Sequence, residues 1–261
     1  MDLPRFITLT NGLKICLIPD NNVDTATLHL KGFAGSNEED IFENREELGI
    51  AHLTEHISIY NKSLNNLTSN GAKVLGVTSR ADVLFMAKVL KEDITLGLNF
   101  LSQVFYTKNI EEKALENSKR LAFLEIQRTI NKINRIMSQV VLSARYKNQR
   151  PALSNLGTQK SVKDINVDKI IKFKNRTYTP NRFALVLSGN FDENTVIRTI
   201  NDLFKSPIDS NRNEESVYDF IPRLDKMALT VKKPNLLNRT IRIDYIGCTS
   251  NEDQFIPNVL L

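Results

Sequence analysis

The sequence predicts an α+β fold: a mixed, mainly antiparallel sheet flanked by helices. Three observations carry this expectation. An Asn11-Gly12 pair between two apolar runs signals a tight hairpin. Strand-like and helix-like runs follow the order β-β-β-α-β-β-α-α-α-β-α, which mixes hairpins with helices instead of alternating them strictly. Two long stretches, residues 92–106 and 110–146, carry the amphipathic pattern of helices.

The elements follow in order. Residues 6–9 and 13–18 form the hairpin around Asn11-Gly12, and residues 25–33 alternate as a third strand. The polar run 35–47 reads as a loop. A helix is expected over residues 46–61, with Leu48, Ile50, Leu53 and Ile57 as its apolar residues. Residues 65–71 read as another loop, and 74–79 with 83–90 as a second hairpin. The stretch 110–146 exceeds an ordinary globular helix, so a break within it is expected. Ser161-Val162-Lys163-Asp164 reads as the entry to a helix over 165–175. Residues 182–187 form a buried-type strand closed by Ser188-Gly189-Asn190, and Asp192 caps a helix over 193–204. Residues 207–213 are the expected linker, with strand-like runs at 227–231 and 240–246 beyond it.

Composition narrows the function classes. The chain has 261 residues, 41% hydrophobic and 25% charged, enough to bury a core without covalent staples. Cys16 and Cys248 lie far apart, which implies neither a disulfide framework nor a thiolate zinc site. The start, Met1-Asp2-Leu3-Pro4-Arg5, lacks the basic and apolar regions of a signal peptide. No stretch approaches the roughly 18 apolar residues of a membrane span. A cytoplasmic chain is the expectation. The net charge of +5 comes from basic residues interleaved with acidic ones, and tryptophan is absent, so no nucleic-acid partner is expected.

The chemistry is concentrated in Gly49-Ile50-Ala51-His52-Leu53-Thr54-Glu55-His56, which holds two of the chain's three histidines. Positions four apart share a helix face, so both imidazoles can reach one metal ion, with Glu55 beside them to accept a proton from water. The pattern is H-x-x-E-H, the inverted zincin signature, and it reads as a zinc peptidase site. A catalytic zinc takes three protein ligands and keeps a position open for water, whose pKa it lowers. His29, on a predicted strand, reads as a core or surface residue, so a carboxylate is expected as third ligand. The stretch 110–146 offers Glu111, Glu112, Glu116 and Glu125. Glu125 stands out because Leu121-Ala122-Phe123-Leu124 and Ile126 around it are apolar, and a carboxylate buried there needs a compensating cation. The alternative is an exposed glutamate whose neighbours form the core face.

Beyond this motif the sequence resembles the pitrilysin/insulinase family of metallopeptidases, to which the mitochondrial processing peptidase is related. Leu9-Thr10-Asn11-Gly12-Leu13-Lys14-Ile15 resembles the family's opening hairpin. Gly35-Ser36-Asn37-Glu38-Glu39 resembles its G-S-x-x-E segment, and Gly49 to His56 its metal helix. Thr78-Ser79-Arg80 resembles the strand after that helix, and Tyr178-Thr179-Pro180-Asn181-Arg182 the region before the strand ending in Gly189-Asn190. The resemblance implies zinc, Zn2+, held by His52, His56 and Glu125, with Glu55 as base. It also implies that the strand containing Gly76, Val77 and Thr78 lies along a peptide substrate. Departures include Ser118, where the family often has a second acid, and Leu75-Gly76-Val77 in place of Asn-Ala-Tyr.

The expected organisation is a metallopeptidase-type domain over residues 1–210, a linker over 211–225, and the start of a second, related domain over 226–261. Family members close a chamber with further domains, so a second homologous chain or a missing C-terminal half is an expected partner. The functional expectation is a zinc endopeptidase acting on oligopeptides or leader segments. The alternative is a non-catalytic or truncated subunit that binds as a scaffold and needs a partner chain.

Overall fold

Period-two alternation builds the sheet. In β2 (Lys14–Pro19), Ile15 and Leu17 are buried, and in β3 (Thr25–Gly32), Ala26, Leu28 and Leu30 are buried. β5 (Val83–Leu90) buries Val83, Phe85, Ala87 and Val89, and β6 (Phe183–Gly189) buries Phe183, Leu185 and Leu187. With β1 (Arg5–Thr8) and β4 (Lys73–Thr78) these make one six-stranded sheet in the order β1-β2-β6-β3-β5-β4. Only β2–β6 is parallel and the other pairings are antiparallel, as a mixed, mainly antiparallel sheet requires. The computed structural model describes residues 3–40, 47–106, 109–130, 132–205, 220–223 and 243. The chain divides into two units, Met1–Arg128 with Ser154–Tyr218, and Thr129–Leu153 with Asp219–Leu261.

In the first unit the helices supply the other half of the core. α1 (Ile50–Ile59) buries Ile50, Ala51, Leu53 and Ile57. α2 is Leu64–Ser69, α3 (Ile94–Tyr106) buries Leu98, Leu101, Val104 and Phe105, and α4 (Glu112–Ile130) buries Leu115, Ala122 and Ile126. In the second unit, α5 (Ile133–Tyr146) ends near residues 220–223, where Arg223 N–H donates to the Arg145 carbonyl at 2.8 Å and Gln149 exchanges two hydrogen bonds with Ile221. The break expected within 110–146 falls between α4 and α5. Back in the first unit, α6 (Gln159–Lys163), α7 (Val167–Thr177) and α8 (Glu193–Leu203) complete the chain's described helices. Asp192 caps α8, accepting from Thr195 N–H at 2.8 Å. None of the described helices is long and apolar enough to cross a membrane.

Several expectations shift. Residues 65–71 are not all loop, because α2 occupies Leu64–Ser69. Thr68, Ser69 and Asn70 bond back to carbonyls one turn earlier, and Leu67 plugs the core, so polar composition hid a helix. The single helix entry at Ser161 resolves into two helices. Ser161 belongs to the capping box of α6, and Asn166 caps α7 by accepting from Lys169 N–H at 2.9 Å. The linker expected at 207–213 and the strand at 227–231 lie outside the described residues, as does all of 240–246 except Ile243.

Candidate metal centre

α1 is pinned before it begins. Gly49 sits at φ +92°, a conformation that favours glycine, and a Cβ there would meet Gly157 Cα and Leu156 O at 2.9 Å. Having no side chain, Gly49 cannot cap the helix. The buried Glu39 carboxylate does so from ten residues upstream, accepting from Gly49 N–H at 3.1 Å and Ala51 N–H at 3.2 Å. That carboxylate also sits at the positive end of the helix dipole. The expected start at residue 46 therefore moves to Ile50.

His52 and His56 project from one face of α1, their rings edge to face with centroids 4.6 Å apart and Nε2 atoms 3.2 Å apart. Glu125 reaches them from α4, with Oε2 3.0 Å from His52 Nε2 and Oε1 3.5 Å from His56 Nε2. Among the described residues, these three form the group of metal-ligating side chains whose donor atoms all lie within 4.8 Å of one another. The two imidazoles are buried, but the Glu125 side chain is 43% exposed. The burial argument that singled out Glu125 is thus corrected. Ala122 and Ile126 take the core face, Leu124 is exposed, and the Glu125 oxygens meet the two imidazoles instead of being buried among apolar neighbours. Glu111, Glu112 and Glu116 are exposed, and Glu116 pairs with Lys119 at 2.9 Å. His29 sits on β3 opposite Met86 and Val186.

This donor set fits zinc. Bonds of about 2.0–2.1 Å to a tetrahedral ion separate its ligand atoms by roughly 3.3 Å. The observed separations of 3.0, 3.2 and 3.5 Å bracket that edge length. Burial and the adjacent His52 push the His56 pKa down to about 4, with Glu125 pulling the other way. The ring is therefore neutral at pH 7, the form in which imidazole lends a lone pair to a metal. The hydrogen bond from His52, more than the neighbouring charges, holds the Glu125 carboxyl below its ordinary value.

Glu55 occupies the neighbouring face of α1, 5% exposed. Burial raises its pKa, opposed by His52 and by the Thr78 hydroxyl, which donates to Glu55 Oε2 at 3.0 Å. The buried Tyr178 phenol is also raised well above its ordinary value, by burial first and then by the Glu55 charge. β4 is the last strand of the sheet, and its residues divide between two faces. Gly76 and Thr78 turn toward Glu55, whereas Leu75 and Val77 are exposed at 47% and 45%. Sequence reasoning missed the cap from Glu39 and the Thr78 bond to Glu55. The Glu38-Glu39 pair was visible as a family-like segment, but nothing local ties it to α1.

With the geometry in place, comparison with known proteins identifies the class. The sequence model of the insulinase family (peptidase family M16) matches residues 14–159, more than half of the chain, and the model of the peptidase M16 inactive domain matches residues 164–261. The chain belongs to the insulinase family, peptidase family M16. The mitochondrial-processing peptidase subunit beta of Neurospora crassa is 23% identical over 244 residues, covering 90% of this chain and 48% of the relative. The uncharacterized zinc protease YmxG of Bacillus subtilis is 25% identical over 196 residues, covering 72% and 47%. The chain spans about half the length of the curated relatives it matches. A protease from Helicobacter pylori superposes with TM-score 0.73 at 16% identity, over 85% of this chain and 55% of that one. A peptidase M16 inactive domain from Pseudomonas fluorescens superposes at 0.69 with 13% identity, over 84% and 53%. The shared fold thus hosts both protease and inactive domains, and the side chains must carry the functional argument.

Proposed function

We propose that this chain is a zinc-dependent endopeptidase that hydrolyses peptide bonds of oligopeptides or leader segments. In this reading His52, His56 and Glu125 hold one Zn2+ and Glu55 is the general base. The observation that carries it is the convergence of two imidazoles and a carboxylate at 3.0–3.5 Å beside a second, buried carboxylate. Zinc bound there supplies Lewis acidity to the scissile carbonyl and lowers the pKa of a water it holds. Glu55, its proton affinity raised by burial, takes a proton from the attacking water as the C–O bond forms, and returns it to the amine nitrogen as the C–N bond breaks. The edge of β4 that is unpaired among the described residues, with Gly76, Val77 and Thr78, receives the substrate as an added strand.

The reading assigns residues 1–210 to the metallopeptidase-type domain, 211–225 to a linker and 226–261 to the start of a related domain. It also assigns closure of the substrate chamber to a second homologous chain or to further homologous sequence. The test is cleavage of a quenched-fluorescence peptide by the zinc-loaded chain, alone and with a homologous chain co-expressed, against chelator and Glu55→Gln controls. Chelator-sensitive cleavage that Glu55→Gln abolishes supports the reading. Equal inactivity of wild type and Glu55→Gln in every arm, with one zinc bound to each, overturns it in favour of a binding scaffold.

A further inference from the structure

Glu55 reaches its position through a side chain with several rotatable bonds, so a rigid α1 alone does not fix where its carboxylate points. β4 bears on both carboxylate oxygens, leaving room for one and donating to the other. A Cβ built on Gly76 would lie 2.3 Å from Glu55 Oε1 and 2.9 Å from Glu55 Cδ, so that oxygen rests in the space a side chain would occupy. Thr78 lies two residues further on, hence on the same face of the strand, and its hydroxyl donates to Oε2 at 3.0 Å. One oxygen is placed by room and the other by a donor. The strand that does this has its outer edge unpaired among the described residues.

Resting on the reading of Glu55 as general base, we infer that Thr78 is a positioning residue for the reaction. Through its hydroxyl, and through the gap at Gly76, the edge strand holds the Glu55 carboxylate in the one orientation from which it can take a proton. Because a peptide added to the edge of β4 is hydrogen-bonded to the same strand, the distance from base to scissile bond is set by β4 itself. The Thr78 hydroxyl acts on the chemical step, whereas the strand's backbone, which a change of this side chain leaves in place, receives the substrate. Gly76 acts as a size limit, since any side chain there displaces the carboxylate or the tip of Ile59, whose Cδ1 is also 2.3 Å from the built Cβ.

The variants are Thr78→Val, which keeps shape and strand preference but removes the donor, and Thr78→Ser, which restores it. Two readouts apply. Crystal structures of the zinc-loaded wild type and variants should show the Glu55 carboxylate rotated off its station in Thr78→Val and back on it in Thr78→Ser. Kinetics on a quenched-fluorescence peptide should show kcat at least about tenfold lower in Thr78→Val, with KM and zinc content at wild-type level and most of the rate recovered in Thr78→Ser. A carboxylate that stays in place in Thr78→Val overturns the inference, as does a loss that appears only in KM or zinc content. If the zinc-loaded wild type cleaves no peptide either alone or with a homologous chain co-expressed, the proposed function falls, while the crystal comparison still decides whether Thr78 orients Glu55.

Discussion

Replacing Glu39 by alanine removes the acceptor that closes the N-terminus of α1, the helix that carries His52 and His56. In the structure one carboxylate oxygen takes two backbone N–H groups, those of Gly49 and Ala51, and all three residues are buried. A hydrogen bond to a charged group contributes about 1.5–3 kcal/mol, and loss of a helix N-cap costs about 0.5–2 kcal/mol. These overlap, because the Ala51 bond is itself the cap, so the expected destabilisation is about 2–4 kcal/mol. For a unit of this size, each kcal/mol lowers Tm by roughly 2–4 °C, giving a drop of about 5–15 °C. Glu39→Gln keeps shape and acceptor while giving up charge, and should lose about 1 kcal/mol. Because His52 lies in the first turn of α1, fraying should also weaken zinc binding, and excess zinc should restore part of the lost Tm by mass action. Thermal melts of the zinc-loaded and chelator-treated chain, wild type against both variants, measure this. A Glu39→Ala chain within about 0.5 kcal/mol of wild type would refute the reasoning, since uncapped buried N–H groups cannot be that cheap.

Other predictions address the metal and the core. Glu125→Gln preserves volume but removes the charge of the proposed third ligand, so competition against a chromophoric chelator should show zinc affinity reduced by more than the roughly 10–100-fold typical of an outer-shell change. Unchanged affinity would place the third ligand elsewhere. Stripping the metal from wild type should lower stability by about 2.7 kcal/mol relative to zinc at a hundredfold excess over Kd, read as a lower Tm that zinc restores. Gly32→Ala drives a Cβ to 2.3 Å from the Phe183 ring, a buried and rigid neighbour, and should destabilise the fold by about 1–3 kcal/mol in urea melts.

Much of the sheet was legible because its strands obey a local rule. Leu28 and Leu30, or Phe85 and Ala87, alternate with outward residues, and that alternation is visible without a partner strand. The Asn11-Gly12 turn was legible for the same reason, and Gly12 indeed adopts φ +83°. α2 was not, because its helix rests on polar side chains bonding back to the chain and on a single buried leucine. At the metal centre, the His52/His56 spacing is local and could be read directly. Glu125 was picked out partly on a burial argument that its 43% exposure does not support. What brings it to the histidines is the approach of α4 to α1, a tertiary fact. Glu39 on α1 and Thr78 on Glu55 were illegible for the same reason: each joins residues that only folding brings together.

The most direct measurement is X-ray absorption at the zinc edge of the purified, zinc-reconstituted chain, paired with metal analysis of wild type, His52→Ala and Glu125→Ala. One zinc per wild-type chain is expected, in a nitrogen and oxygen shell that includes two imidazoles, with both variants losing the ion. Zinc bound through sulfur, or retained in full by both variants, would contradict the assignment of His52, His56 and Glu125.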